Sequence, residues 1–178
     1  MKKILFSGVL CAFSGAAFAH DVHGGHGDRT DNNVHVWNET EYPIHVKADE
    51  ANDAQGVFEA RPFNSGGPPL HIHDAADEVV YVVVGEVLTV IDGEVERKGP
   101  GDAIFVPRGV PHTYTILSEG GARLLAVMTP GGFEAFFEAA ATEGLAVPQD
   151  MERLQELSAE HALRFVGPPL APDAQPTN

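Results

Sequence analysis

The chain has 178 residues, with 11 basic and 26 acidic side chains and a formal net charge of −15. That length suffices for one domain with a sizeable core, and that sign argues against nucleic acid or an anionic membrane surface as partner. Cys11 is the single cysteine, so no disulfide framework forms.

The chain opens like a secretory leader. Met1-Lys2-Lys3 is positive, Ile4 to Phe13 is apolar, and Ala17-Phe18-Ala19 is a small-x-small cleavage site. The apolar run is too short for a membrane span, and no charged stop follows it. The expectation is a signal peptide over 1–19 and a secreted or periplasmic protein without membrane contact after cleavage. Cleavage removes Cys11, and with it any thiolate ligand or cysteine nucleophile. It also removes Lys2 and Lys3, leaving nine basic against 26 acidic side chains, a net −17. Residues 20–33 are rich in His, Gly and Asp and lack apolar periodicity, which predicts a flexible tail. His20, His23 and His26 make it either a loose metal-binding tract or a polar spacer.

Short strands are predicted over Val34–Trp37, Ile44–Lys47 and Val57–Phe63, the last bent at Pro62. A turn-rich loop, Asn64 to Pro69, leads to His71-Ile72-His73. Alternate residues of an extended strand leave one face, so both imidazoles point the same way. Glu78 then opens a β-branched run to Val84, which suits a strand covered on both faces. Val87, Thr89 and Ile91 alternate before Asp92-Gly93, a two-residue hairpin signal. A return strand begins at Val95 and ends at a turn over Lys98 to Asp102. Strands over Ala103–Val106, His112–Leu117 and Arg123–Thr129 complete the set. Many short strands at such spacing predict an antiparallel sandwich or barrel.

Beyond Pro130 the pattern becomes helical. Phe133, Phe136, Phe137 and Ala140 recur at helix spacing, and Gly144 is a stop. Met151, Leu154 and Leu157 mark a second helix after Pro148 and Asp150. Both helices are expected outside the barrel or against a second subunit, with Gly167 to Asn178 irregular. There are no internal repeats, so one barrel is read over 34–130 and a helical extension and tail over 131–178.

Two stretches carry chemistry. The first holds Gly66 or Gly67, His71, His73, Glu78 and Gly85; the second holds Gly101, Pro107, Gly109 and His112. Their order and spacing resemble the two cupin motifs, and the resemblance runs from about Phe58 to Met128. The family pattern often has an asparagine four residues after the second-motif histidine; Ile116 stands there. The resemblance implies an all-β, double-stranded β-helix or jelly-roll barrel, with the C-terminal helices packed outside it. In that barrel the Glu78 strand and the His112 strand can face one another, so residues far apart in sequence can share one ion.

His71, His73, His112 and Glu78 are the candidate metal ligands, with Glu78 alternatively a carboxylate that holds an imidazole tautomer. Imidazole and carboxylate suit Fe, Mn, Ni, Cu, Zn or Co, and the absence of sulfur argues against blue copper and iron–sulfur centres. Four ligands leave one or two positions open, the mark of a catalytic site. Resemblance to single-domain, quercetinase-like cupins implies a dioxygenase for a small aromatic or flavonol-like substrate, with Glu78 as ligand and base. Non-oxidative isomerase, lyase or decarboxylase chemistry, or non-catalytic binding of a metal or small molecule in the periplasm, are the alternatives. Phe58, Phe63, Tyr81, Phe105 and Tyr114 are candidate substrate walls or plain core. Arg61 and Arg108 are the basic residues near the motifs. His35, His45 and His161 read as surface or packing residues. A homodimer through the N-terminal strands or the Phe-rich helix is compatible with this pattern.

Overall fold

The computed structural model describes residues 33–171. The expected leader, the His-rich tail up to residue 32 and residues 172–178 lie outside the described residues.

Turn chemistry divides the described residues into eleven strands and two α-helices. The strands are β1 (Val34–Trp37), β2 (Thr40–Val46), β3 (Gly56–Pro62), β4 (Pro69–His73), β5 (Asp77–Val84), β6 (Val87–Ile91), β7 (Glu94–Lys98), β8 (Ala103–Val106), β9 (His112–Ile116), β10 (Arg123–Thr129) and β11 (Leu163–Pro169). The helices are α1 (Ala135–Glu143) and α2 (Met151–Glu160). The Asp92-Gly93 signal is a tight hairpin turn, with φ of 51° and 84° at its two residues and β6 paired antiparallel with β7.

Two antiparallel sheets face each other as a jelly-roll barrel. One has the order β1-β2-β3-β10-β5-β8, the other β11-β4-β9-β6-β7. Val82, Val87, Leu124, Met128 and Ile116 are almost completely buried in the core. Fully burying such a side chain stabilises the fold by about 1.5–3 kcal/mol.

Two expectations need correction. The valine run of β5 is covered on one face only. Val82 is fully buried, whereas Val79, Tyr81 and Val84 are 40–50% exposed, because β10 and β8 flank β5 edge to edge and nothing among the described residues covers its outer face. The segment after α2 is not irregular as far as Pro169. It forms β11, antiparallel to β4, with Leu163 opposite His73 and Phe165 opposite His71. Its prolines are tolerated because β11 is the sheet edge, where a missing N–H leaves no ladder bond unmade.

As expected, α1 lies outside the sheets. Its apolar face packs over one end of the barrel. Phe136 and Phe137 are buried among Trp37, Tyr42, Phe58 and Phe133, and Phe137 stacks on Tyr42 with centroids 3.7 Å apart. Gly144 ends the helix in the left-handed region, as its position predicts. Glu134 clamps the approach to α1. Its buried carboxylate accepts from Ala48 N–H at 2.7 Å and Gly132 N–H at 2.8 Å.

Candidate metal centre

His71 and His112 are register partners across β4 and β9, and His73 lies two residues along β4 on the same face. The three rings therefore converge from one sheet, with centroids 4.2–5.2 Å apart. One nitrogen from each falls within 4.8 Å of the others, and all three residues are buried. Glu78 reaches the cluster from β5 in the opposite sheet. Its Oε2 lies 3.0 Å from His112 Nε2 and 3.7 Å from His73 Nε2.

The loops hold this geometry. The Asn64–Pro69 loop lies against β9, where Thr113 Oγ1 donates to Pro68 O at 2.6 Å and Ile116 N–H donates to Gly66 O at 3.1 Å. The approach is so close that a Cβ on Gly67 would overlap the carbonyl of Tyr114. The loop before His112 is tied down twice. Gly109 N–H donates to His73 O at 2.8 Å, and Arg108 pairs in two places with Asp77, the residue before Glu78. Both family glycines thus have a steric or backbone reason.

The donor set fits a divalent transition metal. His71 Nδ1–H donates to Pro69 O at 2.8 Å and His112 Nδ1–H to Val110 O at 3.0 Å, which presents Nε2 of each ring to the cluster. His73 Nε2 is buried without a hydrogen-bond partner. A buried, unpaired acceptor is costly unless something coordinates it. Burial drives His71 well below the ordinary imidazole range and brings His73 down to about 4, so both rings are neutral and able to ligate. Burial also pushes the Glu78 carboxyl up, but the His112 hydrogen bond and the surrounding imidazoles outweigh it and hold Glu78 at about 2. Burial lowers His112, yet the Glu78 hydrogen bond and charge lift it above its usual value.

The cluster sits in the wall of a cavity of about 70 Å³. Of the aromatics singled out in the sequence, Phe58 and Tyr114 line it. Phe63, Tyr81 and Phe105 do not; they are 54%, 43% and 59% exposed. The remaining aromatic lining is Trp37, Tyr42, Phe133, Phe136, Phe137 and Phe165, which a reading of the motifs alone misses. The helical spacing of Phe133 to Phe137 was visible, but not that this face caps the barrel. Among the described residues no lysine or arginine lines the cavity. Arg61 is paired with Glu59 at 2.7 Å and Arg108 with Asp77 at 2.9 Å, both away from it. His45 bonds Glu59 at 3.1 Å, His35 Nε2 is buried without a partner, and His161 follows α2; none joins the cluster.

Residues 63–128 match the family model described as a cupin domain. A solved structure of an RmlC-like cupin from Shewanella frigidimarina NCIMB 400 superimposes with a TM-score of 0.52 at 22% identity, covering 61% of this chain and 91% of that one. Residues 63–128 thus match a cupin domain, and the two-sheet barrel shares the fold of that solved cupin. Over 67 residues the chain is 33% identical to the quercetin 2,3-dioxygenase of Bacillus subtilis (strain 168). That stretch is 38% of this chain and 20% of the relative, so the chain matches about a fifth of that protein's length. A predicted oxalate decarboxylase from Thermotoga maritima has a TM-score of 0.48 at 21% identity, covering 51% of this chain and 80% of that one.

Proposed function

We propose that this protein is a metal-dependent cupin enzyme, a dioxygenase acting on a small, uncharged aromatic substrate that carries an acidic hydroxyl. The observation that carries the reading is the cavity. Three metal-competent histidines and one buried carboxylate are set in a wall of aromatic and aliphatic side chains without a single lysine or arginine. An anionic substrate such as a small dicarboxylate or a sugar phosphate would find no cationic side chain among the described lining residues and would depend on the ion alone to offset its desolvation. A planar neutral ring meets faces it can stack on.

His71, His73 and His112 would hold the ion, with Glu78 beside it. A bound first-row divalent ion would supply a positive centre that acidifies a coordinated hydroxyl and, if redox-active, a means of engaging dioxygen. Glu78, buried beside the three imidazoles, would be the group that accepts the hydroxyl proton. The apolar walls exclude bulk water from the deprotonated substrate. Cavity size selects among aromatics. A space of about 70 Å³ holds roughly five waters, which favours a single ring over a three-ring flavonol. With the leader removed, the reaction would run in the periplasm or outside the cell.

The test is an oxygen electrode. Protein reconstituted in turn with Fe, Mn, Ni, Cu, Co and Zn is given catechol, a monocyclic hydroxypyranone and quercetin. Oxygen uptake with a redox-active metal, and faster with the monocyclic compounds, supports the reading. Stoichiometric metal without oxygen uptake on any of them would overturn it in favour of non-oxidative or binding roles.

A further inference from the structure

Beside the metal cluster lies a second recess of about 200 Å³, bounded by residues that include Ala75, Pro130, Gly132, Glu160 and His161. Ala75 and Glu160 are exposed, so the recess meets solvent. Among the described residues, His73 and Phe133 are the two that line both this recess and the inner cavity. The Phe133 ring stands edge-on to the His73 imidazole, with centroids 4.3 Å apart and planes at 70°. These two rings together form the partition between the outer recess and the inner cavity.

The backbone around Phe133 is held on both sides. Glu134 is clamped through its two hydrogen bonds to backbone N–H groups, one of them that of Gly132. Gly131 packs against Gln55 so closely that a Cβ would overlap it. Between them Gly132 has a φ of 119°, a conformation that L side chains rarely adopt. With the backbone held, the movable part is the Phe133 side chain, and a change of its rotamer toward the recess would exchange ring contacts with Phe136 and Phe137 for the open space outside.

We infer that Phe133 is the gate and size filter of the metal site, and that small molecules reach the metal from the Glu160–His161 side of the barrel. The inference rests on the proposed metal reading, and its test separates the two. Protein loaded with Co(II) is mixed in a stopped-flow instrument with imidazole or with 4-phenylimidazole, and binding is followed by the visible Co(II) spectrum. Phe133→Ala is expected to speed binding of 4-phenylimidazole by about tenfold or more, because passage no longer waits on a conformational step. Imidazole should change much less. Phe133→Leu, which keeps an apolar filling, should fall between and covers the case in which the alanine variant does not fold, as checked by circular dichroism. Phe105→Ala removes an exposed aromatic that lines neither space and should leave the rates near wild type. Unchanged 4-phenylimidazole rates in both Phe133 variants, or equal acceleration in Phe105→Ala, would overturn the gate while leaving the metal site standing. A wild-type protein that takes up no Co(II) would overturn the metal reading and the gate with it.

Discussion

Replacing Glu134 with glutamine should loosen the barrel end that α1 closes. Its two carboxylate oxygens accept one backbone N–H each, from Ala48 and Gly132, and the residue is 3% exposed. Glutamine is nearly isosteric but has one acceptor oxygen, so its NH₂ must face the second N–H. The loss is one charge-assisted hydrogen bond, worth about 1.5–3 kcal/mol, plus the penalty for an unpaired buried donor. The neighbouring surface hollow bounded by Lys47, Gly132 and Glu138 admits water that relieves part of this penalty, so about 2 kcal/mol net is expected. Urea titration should show a lower midpoint at unchanged slope, and calorimetry a fall in Tm of about 5–10 °C. Because Phe133 is the preceding residue, the same variant should also speed 4-phenylimidazole binding to the Co(II) protein. A stability change below about 0.5 kcal/mol would refute the reasoning, since surface substitutions away from such contacts give that much.

Other outcomes follow from features already described. Burial raises the Glu59 carboxyl, but hydrogen bonds from Arg61, Arg123 and His45 hold it at about 2, below its unfolded value of 4.5. Its contribution is therefore present above pH 4.5 and is lost as pH falls toward 2. Glu59→Gln should flatten that acid limb of the urea midpoint and cost about 1–2 kcal/mol at neutral pH, given that the guanidinium partners are partly exposed. Gly67→Ala should displace the motif loop from Tyr114 and lower the metal content measured by elemental analysis, whereas alanine at the open turn position Gly99 should not. His71→Ala should abolish metal uptake. Glu78→Gln should retain metal yet lose about 10²–10⁴-fold in turnover; metal loss in that variant would make Glu78 a ligand first.

The barrel and its histidines were legible because both are written locally. Strands β1, β8 and β10 have the bounds that their turn residues suggest, and the His-x-His pair needs only the two-residue period of a strand. The inward and outward faces were less legible, although one signal was available. With Glu78 pointing into the barrel, parity sends Val80 and Val82 inward and Val79 and Tyr81 outward, as observed. A run of valines hides that parity. The aromatic plug was invisible for a different reason. Helical spacing shows that Phe133, Phe136 and Phe137 share a face, but what that face meets is decided by tertiary packing. Likewise Gly167-Pro168-Pro169 carries loop chemistry, and only its place at a sheet edge makes it a strand.

That edge position has a consequence for the order of assembly. β4, which carries His71 and His73, lies between β9 and β11, and β11 is locked to it by the Arg164–Asp74 pair across 90 residues of chain. Such distant pairings close late and are costly in loop entropy. During synthesis the histidine-bearing strand must wait for nearly the whole described chain before its last neighbour arrives. Until then it is a bare β edge rich in ligands, open to annealing with another nascent chain. β11 is thus a built-in protecting strand, and a chain cut before Leu163 should aggregate through its own histidine-bearing edge.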